Sequence, residues 1–506
     1  MTHSRTLNRR QFLKTAGAAA AAPYAVPRAS GRKSNLLFLW TDEQRSDTMA
    51  VYGNTQIKTP CLNKLAGESV VFQNAYVSQP VCTPSRATVM TGLWPHQTSC
   101  LANNIPLPEP VQCFPEMLND PDYCTAYMGK WHLGDEVFAQ HGFQEWVSIE
   151  DGYRSHYGPG RDRSQKSSYW QSLSELGYRH DQEDGFYSRK FAVHLPIEHC
   201  KPKFLETRAI DFLRRHKEEP FILYVNFLEP YMPYFGPLND LHDLNVLDLP
   251  PNFDDPLEED EPLRYRLLRQ NYIDKGFEGQ DLHSESGWRR LLANYYGLVS
   301  QVDRSVGAIL AELERLGLVE NTIVVYTSDH GDMMGSHKLL AKTVMYEESV
   351  KVPWLMRIPQ MNRRQAILPG RYSHIDLAPT LLELMGSKNA DLPGRSLAPV
   401  IRGERRAQRE VFVQWNRSEG QLSASLPNVT RQEIARVQDA PIRTVITQDG
   451  WKLCRCDRDK HQLFDLNSDP YETHNLYDTG DHAKRIADLT KRIRDWQTDV
   501  KDQATA

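Results

Sequence analysis

"NTIVVYTSDHGD", residues 321–332, passes abruptly from the apolar, strand-forming run Ile323 to Tyr326 into Asp329, His330 and Asp332. A run so short and so rich in β-branched residues reads as a strand buried on both faces. Three other stretches repeat the pattern. "NLLFLWTDEQR" gives a strand from Leu36 to Trp40 that ends in Asp42 and Glu43. "YCTAYMGKWHLG" runs into Gly129, Lys130 and His132, and "PFILYVNFLEPYMPY" holds a strand from Phe221 to Phe227 that meets Pro230 and Tyr231. Helical patterns lie between, notably Trp288 to Leu316 and Ile375 to Met385, the latter closed by Gly386. Strands alternating with helices predict an α/β fold with a large, mostly parallel sheet sandwiched by helices. Ligands of such sheets bind just outside the carboxyl ends of the strands. Four polar strand ends therefore predict one assembled site.

The chain has 506 residues, more than one hydrophobic core usually organises, so a second, smaller domain is expected. From about Glu404 the pattern changes. "VFVQWNRSEGQLSASLPNVT" and "IRTVITQDGWKLCRC" read as antiparallel strands with long loops, followed by a terminal helix from His482 to Val500. The expected division is a leader over 1–30, a catalytic α/β domain over 31–404 and a smaller C-terminal α+β domain with an antiparallel sheet over 405–506. The leader, "NRRQFLKTAGAAAAAPYAVPRAS" at residues 8–30, sets Arg9 and Arg10 before an alanine-rich run, the order of a twin-arginine export signal. That address implies a bacterial protein exported folded, to the periplasm or beyond, with the twin-arginine machinery as a partner. The net charge of -5, without a long single-sign run, gives no reason to expect nucleic acid as a partner. No interior stretch is apolar enough to predict a stable membrane anchor. Eight cysteines in so long a chain do not make a disulfide framework, although Cys61, Cys100, Cys113, Cys124 and Cys200 could be buried thiols or form one or two bridges.

The strand ends carry metal and proton chemistry. Asp42, Glu43 and Asp329 offer hard oxygen ligands for a divalent cation, and His330 adds a nitrogen that leaves manganese open beside calcium and magnesium. Acidic strand ends also serve as turns and caps, which is how Asp332 is read. Cys82 stands between Pro80 and Pro84 at the start of a helix that runs to Gly92, where the dipole and free N–H groups favour an anion or a thiolate. Arg86 lies on the first turn of that helix. Lys130, His132 and Lys342 add positive charge and proton-transfer capacity.

Cys82-Thr-Pro-Ser-Arg86, continued by "TGLWPH" to His96, resembles the Cys-x-Pro-Ser-Arg signature of the type I sulfatases. "GKWHLG" at 129–134 resembles the family's second signature, and "SDHGDMMGSHKLLAKTVMYEES" at 328–349 its metal-and-lysine segment. "SHIDLAPTLLELMG", "LPGRSLAPVIRGE" and "LFDLNSDPYETHNL" are similar to later family segments, in the family's order. The resemblance implies that a separate maturation enzyme oxidises Cys82 to formylglycine (3-oxoalanine). In its hydrated form one hydroxyl attacks sulfur, and the second then loses its proton to expel sulfate. It also implies one divalent metal, calcium first, held by Asp42, Glu43, Asp329, His330 and the modified Cys82. Arg86 is then expected to steady the diol and metal shell, Lys130 to bond sulfate or diol, His132 to take the second proton, and Lys342 to reach sulfate and the bridging oxygen.

The sequence departs from the family pattern at three places. Glu43 stands where a second aspartate is common, and position 330 varies between asparagine and histidine among relatives. Tyr231 stands where a histidine usually contacts sulfate and protonates the leaving oxygen, so the leaving-group acid falls to Lys342, to Tyr231 itself, or to His337 in the same loop as Lys342. No full set of ligands for a second metal accompanies His374 and Asp376, and both read as structural, Asp376 as a helix cap. Trp415, Asn416 and Arg443 are candidates for a pocket wall, and the insertion at 151–170, rich in Arg, Tyr and Ser, for contact with an anionic sugar or for an ordinary surface loop. The expected activity is hydrolysis of a sulfate monoester, on a carbohydrate such as a sulfated polysaccharide fragment or on a small ester. The alternatives are a phosphonate monoester or phosphodiester hydrolase of the same fold, and a glycan-binding pseudoenzyme.

Overall fold

Asn35–Asp42 (β1) is buried along its whole length and forms the axis of the large sheet in the computed structural model. The residues described are 33–256, 258–361, 363–387, 391–407, 409–417 and 422–505. The twin-arginine leader lies outside them, as does 418–421 of the segment read as C-terminal strands. Alternate residues of β1 feed two separate cores, as a strand's two-residue period requires. Leu36, Phe38 and Trp40 join one, Leu37 and Leu39 the other.

Eight further strands complete this sheet: Val70–Tyr76 (β2), Cys124–Gly129 (β3), Glu145–Ser148 (β4), Phe221–Pro230 (β5), Thr322–Ser328 (β6), Lys351–Val352 (β7), Trp354–Arg357 (β8) and Ala366–Ser373 (β9). β4, β3, β5, β1 and β6 lie side by side, all parallel. Beyond β6 the sheet reverses: β8 pairs antiparallel to β6 and β2, β7 also pairs antiparallel to β2, and β9 runs parallel to β2. In register, Leu36 of β1 faces Ile222 of β5 and Ile323 of β6, so the polar ends reach the same edge together.

Helices cover both faces. Cys82–Thr91 (α1) and Leu377–Leu384 (α4) bury Val89, Met90, Leu377 and Leu381 against Phe38 and Trp40. Lys201–Arg215 (α2) and Glu285–Arg315 (α3) bury Leu205, Phe212, Val302 and Val306 against Leu37 and Leu39. A separate antiparallel sheet of Val411–Trp415 (β10), Ile442–Ile446 (β11), Trp451–Arg455 (β12) and Gln462–Asp465 (β13) follows, with Ala483–Val500 (α5) packing Leu489 and Ile493 on Val445 and Leu453. The α/β sandwich and the small antiparallel sheet are those expected from the sequence. Strands β2 and β7–β9, and the helix Arg431–Gln438, were not. All eight cysteines are free thiols, so the bridges left open for Cys61 to Cys200 do not form.

Candidate active site

The carboxyl ends of β1 and β6 meet at Asp42 and Asp329, where the Glu43 N–H donates to Asp329 Oδ1 at 3.1 Å. His330 follows, with its Nδ1 2.9 Å from the Gly331 carbonyl. That contact, read as Nδ1–H donating, directs the Nε2 lone pair at 3.6 Å from Asp42 Oδ1 and 3.5 Å from Asp329 Oδ1. α1 brings Cys82 to the same point as its first residue. Its Sγ lies 3.3 Å from His330 Nε2 and 3.8 Å from Asp42 Oδ1. One donor atom from each of Asp42, Cys82, Asp329 and His330 falls within 4.8 Å of the others, and all four residues are buried.

One turn into α1, Arg86 ties the strand ends together. It donates from Nη2 to Asp42 Oδ2 and from Nε to Asp329 Oδ2, each at 2.9 Å, and from Nη1 to the Lys130 carbonyl at 2.6 Å and Asn226 Oδ1 at 3.0 Å. Its guanidinium also stacks over Trp40, 4.7 Å from the ring centroid. Lys130 follows Gly129, whose φ of 122° and absent side chain let β3 close on β5; a Cβ there would lie 2.0 Å from the Asn226 carbonyl oxygen. Lys130 Nζ reaches Asp42 Oδ2 at 2.5 Å. Burial opposes ionisation of Asp42, but Lys130 and Arg86, with Lys342 beyond, together hold its carboxyl well below the usual range. Burial also opposes the Lys130 and Lys342 ammonium groups, and the negative charge of Asp42, which acts on both, helps to reverse that and raise them.

A sequence model of the sulfatase family matches residues 34–387, which include every one of these side chains. The chain belongs to the sulfatase family. A second model, described as N-sulphoglucosamine sulphohydrolase, C-terminal, matches residues 335–499, and a twin-arginine translocation signal matches 6–23. The chain is 29% identical over 460 residues to an ulvan-active sulfatase of Formosa agariphila, covering 88% of this chain and 77% of the relative. It is 25% identical over 532 residues to an N-acetylglucosamine-6-O-sulfatase of Bacteroides thetaiotaomicron, covering 93% and 87%. The solved structure of a phosphonate monoester hydrolase from Silicibacter pomeroyi superposes with a TM-score of 0.76 at 22% identity, over 93% of this chain and 96% of that one. As a sulfatase the protein is a sulfuric ester hydrolase, and its leader marks it for export. Among the described residues no helix is long and apolar enough to cross a membrane.

The remaining sulfatase candidates fall into two groups. Glu43 has a left-handed backbone, φ 68°, and its carboxylate is not in the four-residue donor group. Oε2 pairs with Lys342 Nζ at 3.3 Å, Oε1 is buried without a hydrogen-bond partner, and burial, only partly offset by Lys342, pushes the carboxyl up to about 8. Tyr231 lies beneath two ammonium groups, with Lys342 4.2 Å and Lys130 4.4 Å from its ring centroid. His132 stacks on Tyr153 at 4.0 Å, its Nε2 is 2.9 Å from Asn104 Oδ1, and its buried Nδ1 has no hydrogen-bond partner. Burial, then the charges of Lys130 and Arg86, drives its pKa well below the ordinary value, so the ring is neutral.

His337 is engaged elsewhere. Its Nδ1 is 2.5 Å from Asp255 Oδ2, Asn252 Nδ2 donates to its Nε2 at 3.0 Å, and its ring stacks on Tyr346. Those contacts make it an anchor of the loop that carries Lys342. His374 is buried with Nε2 2.9 Å from Thr327 Oγ1, and Asp376 accepts the Arg395 N–H at 2.8 Å rather than capping α4. Asp332 accepts the N–H groups of Met334 and Ala341, as a structural residue should. Arg443 is taken up by Asp502 and the Trp415 carbonyl, and the Trp415 ring lies beneath the Arg264 guanidinium, so both side chains are engaged in packing the C-terminal strands. The insertion at 151–170 contributes Asp151, Arg154 and Trp170 to a cavity of about 250 Å³ that Arg189 also lines. Four contributors were missed: Asn226, Asn104, Tyr153 and Arg189. Only Asn226 carried a signal, as a lone amide within an otherwise apolar strand.

Proposed function

We propose that the chain hydrolyses a sulfate monoester on a carbohydrate, with Cys82 converted to formylglycine by a maturation enzyme and one divalent cation beside it. The observation that carries the reading is the position of the Cys82 sulfur at the head of α1, 3.3 Å from His330 Nε2, inside a shell of Arg86, Lys130 and Lys342. The formylglycine residue supplies a hydrated aldehyde as nucleophile, chemistry that an unmodified thiol lacks.

The donors suit a hard cation. Two carboxylates and an imidazole nitrogen face one another within 4.8 Å, and the unpartnered Glu43 Oε1 is buried beside them. Asp42, Asp329, His330 and residue 82 would hold the ion, with Glu43 as the further ligand; calcium is the first choice, magnesium or manganese the alternatives. A cation there supplies positive charge to a sulfate oxygen and favours a deprotonated nucleophile. Lys130 and Lys342, fixed as ammonium groups above Tyr231, supply the remaining charge for the sulfate oxygens. Arg86 orients Asp42 and Asp329. His132, neutral and with Nδ1 bare, can accept a proton from the nucleophilic residue. A carbohydrate substrate is supported by relatives named for ulvan and for N-acetylglucosamine-6-O-sulfate.

The test is a peptide mass spectrum across Cys82 together with parallel assays on sulfated sugars, an aryl sulfate and an aryl phosphodiester. The aldehyde mass with sulfate release from a sugar is expected. Predominant diester hydrolysis would replace the reading with a phosphonate or phosphodiester hydrolase, and an unconverted cysteine without turnover would leave a glycan-binding protein.

A further inference from the structure

A second group of metal-binding side chains lies outside the site just described. Cys113 immediately precedes the short helix Phe114–Leu118, Glu116 lies within it, and His141 comes from the turn before β4. A thiol sulfur, a carboxylate oxygen and an imidazole nitrogen from these residues all lie within 4.8 Å of one another. Cys113 is fully buried, and the His141 side chain is only 5% exposed. His141 Nδ1 is buried without a hydrogen-bond partner, although Glu116 Oε2 is 3.5 Å away.

That separation is long for a hydrogen bond. It suits two ligands of one zinc ion, because bonds of about 2.0–2.2 Å at a tetrahedral angle set nitrogen and oxygen roughly 3.3–3.5 Å apart. The backbone commits His141 to this approach. His141 and Gly142 both take left-handed conformations, φ 51° and 78°, and a Cβ on Gly142 would lie 2.8 Å from Glu116 Cγ. Glu116 is oriented in turn by the Cys113 N–H, which donates to Oε2 at 2.8 Å.

The geometry points to a zinc site formed by Cys113, Glu116 and His141, with water as fourth ligand. Thiolate, imidazole and carboxylate together select zinc over calcium, so this site and the oxygen-rich one at Asp42 would take different ions. On binding, a zinc–sulfur bond replaces the S–H bond of Cys113, and the proton passes to solvent. The His141 ring lies 5.9 Å from the ring of Trp131, the residue between Lys130 and His132, so the ion would brace the segment that presents both.

The test is cobalt titration of the purified, chelator-stripped enzyme, read by the near-ultraviolet thiolate-to-cobalt absorption. Cys82 is a second thiol beside a metal site, so Cys82→Ser is titrated in parallel. The absorption should persist in Cys82→Ser, be erased there by one equivalent of zinc, and vanish in Cys113→Ser and in His141→Gln. Elemental analysis after dialysis against zinc should find one more equivalent per chain in the unsubstituted enzyme than in either of those two variants. Unchanged circular dichroism would show that their folds are intact. Cys124, with His216 and Glu219, is the other thiol placed to bind cobalt, so if either variant fails to fold, the titration of Cys82→Ser combined with Cys124→Ser decides, the absorption being expected to persist there. No absorption in Cys82→Ser, undiminished absorption in folded Cys113→Ser, or equal zinc content would overturn the site and leave a packing contact between His141 and Glu116. None of these readouts depends on sulfatase turnover.

Discussion

Arg86, at the edge of the large sheet, and Arg443, in the small antiparallel sheet, are buried equally deeply and donate through all three guanidinium nitrogens. Arg443 reaches Asp502 through Nε at 2.5 Å and Nη2 at 2.9 Å, and spends its other donors on Asn416 and on the carbonyls of Trp415 and Ile442. Its carboxylate partner closes the pair, with Gln497 as a further donor. The carboxylates held by Arg86 are shared: Asp42 also takes Lys130, and Asp42 and Asp329 both face His330. Saturated hydrogen bonding and burial therefore do not distinguish a site from a scaffold. Convergence of several unlike groups on one atom, the Cys82 sulfur, does.

The largest effect should come from that atom. Cys82→Ser removes the thiol proposed to become formylglycine while leaving the charges in place, and turnover should fall on the order of 10⁴-fold or more with an unchanged thermal midpoint. Chelation should likewise abolish turnover, reversibly on adding back calcium, magnesium or manganese, and the ion that restores most identifies the resident metal. Chelated enzyme with full activity would show that the convergence at Asp42 and Asp329 is scaffold after all.

The arginine pair sharpens the comparison directly. Arg86→Lys keeps a positive charge but loses the fork that holds Asp42 and Asp329 at once. Turnover should fall about 10²–10³-fold, the scale of losing one preorganised electrostatic group. Arg443→Met leaves Asp502 buried without its cation, which should cost about 3–5 kcal/mol of stability while turnover per folded molecule stays unchanged. Denaturant midpoints and rates corrected for folded fraction separate the two. Equal catalytic losses in both variants would erase the distinction.

The sequence placed the first arginine among its partners and did not show those of the second, for a physical reason. A strand that ends in Asp42, or a helix that opens on Cys82 and Arg86, carries local chemistry whose destination follows from the topology of a parallel sheet. Arg443 and Trp415 sit in a short antiparallel strand pair, with Asn416 just past its end, where polar and apolar residues alternate whether or not a ligand is near. The Arg443 partner, Asp502, lies 59 positions away, beyond the end of α5. Tyr153 and Arg189 were hidden similarly. Each acts through a long-range contact, Tyr153 stacking on His132 and Arg189 lying 5.1 Å from the Tyr231 ring, that no short motif encodes. Strands β2 and β7–β9 were missed because they are short or irregular, and β2 breaks its apolar run at Gln73 and Asn74.

The smallest effect concerns Tyr231, where the comparison turns on what one side chain contributes. Two ammonium groups, Lys130 and Lys342, lie 4.4 and 4.2 Å from its ring centroid, and the Arg189 guanidinium 5.1 Å from it. Three cations gathered on one ring repel one another, and the negative face of the aromatic quadrupole offsets part of that. Tyrosine thus holds the lysines through its face, whereas an imidazole in its place would offer a titratable nitrogen. Tyr231→Phe preserves the face and should leave kcat/KM on a sugar sulfate within about twofold. Tyr231→Leu removes it; losing a desolvated cation–π contact worth up to about 2 kcal/mol should lower kcat/KM roughly tenfold. Because the ring acts through the two lysines, that loss should be similar on aryl and sugar sulfates. A Tyr231→Phe loss as large as that of Tyr231→Leu, confined to sugar sulfates, would instead make the phenol the donor to the leaving oxygen, since an alkoxide needs that proton and a nitrophenolate hardly does.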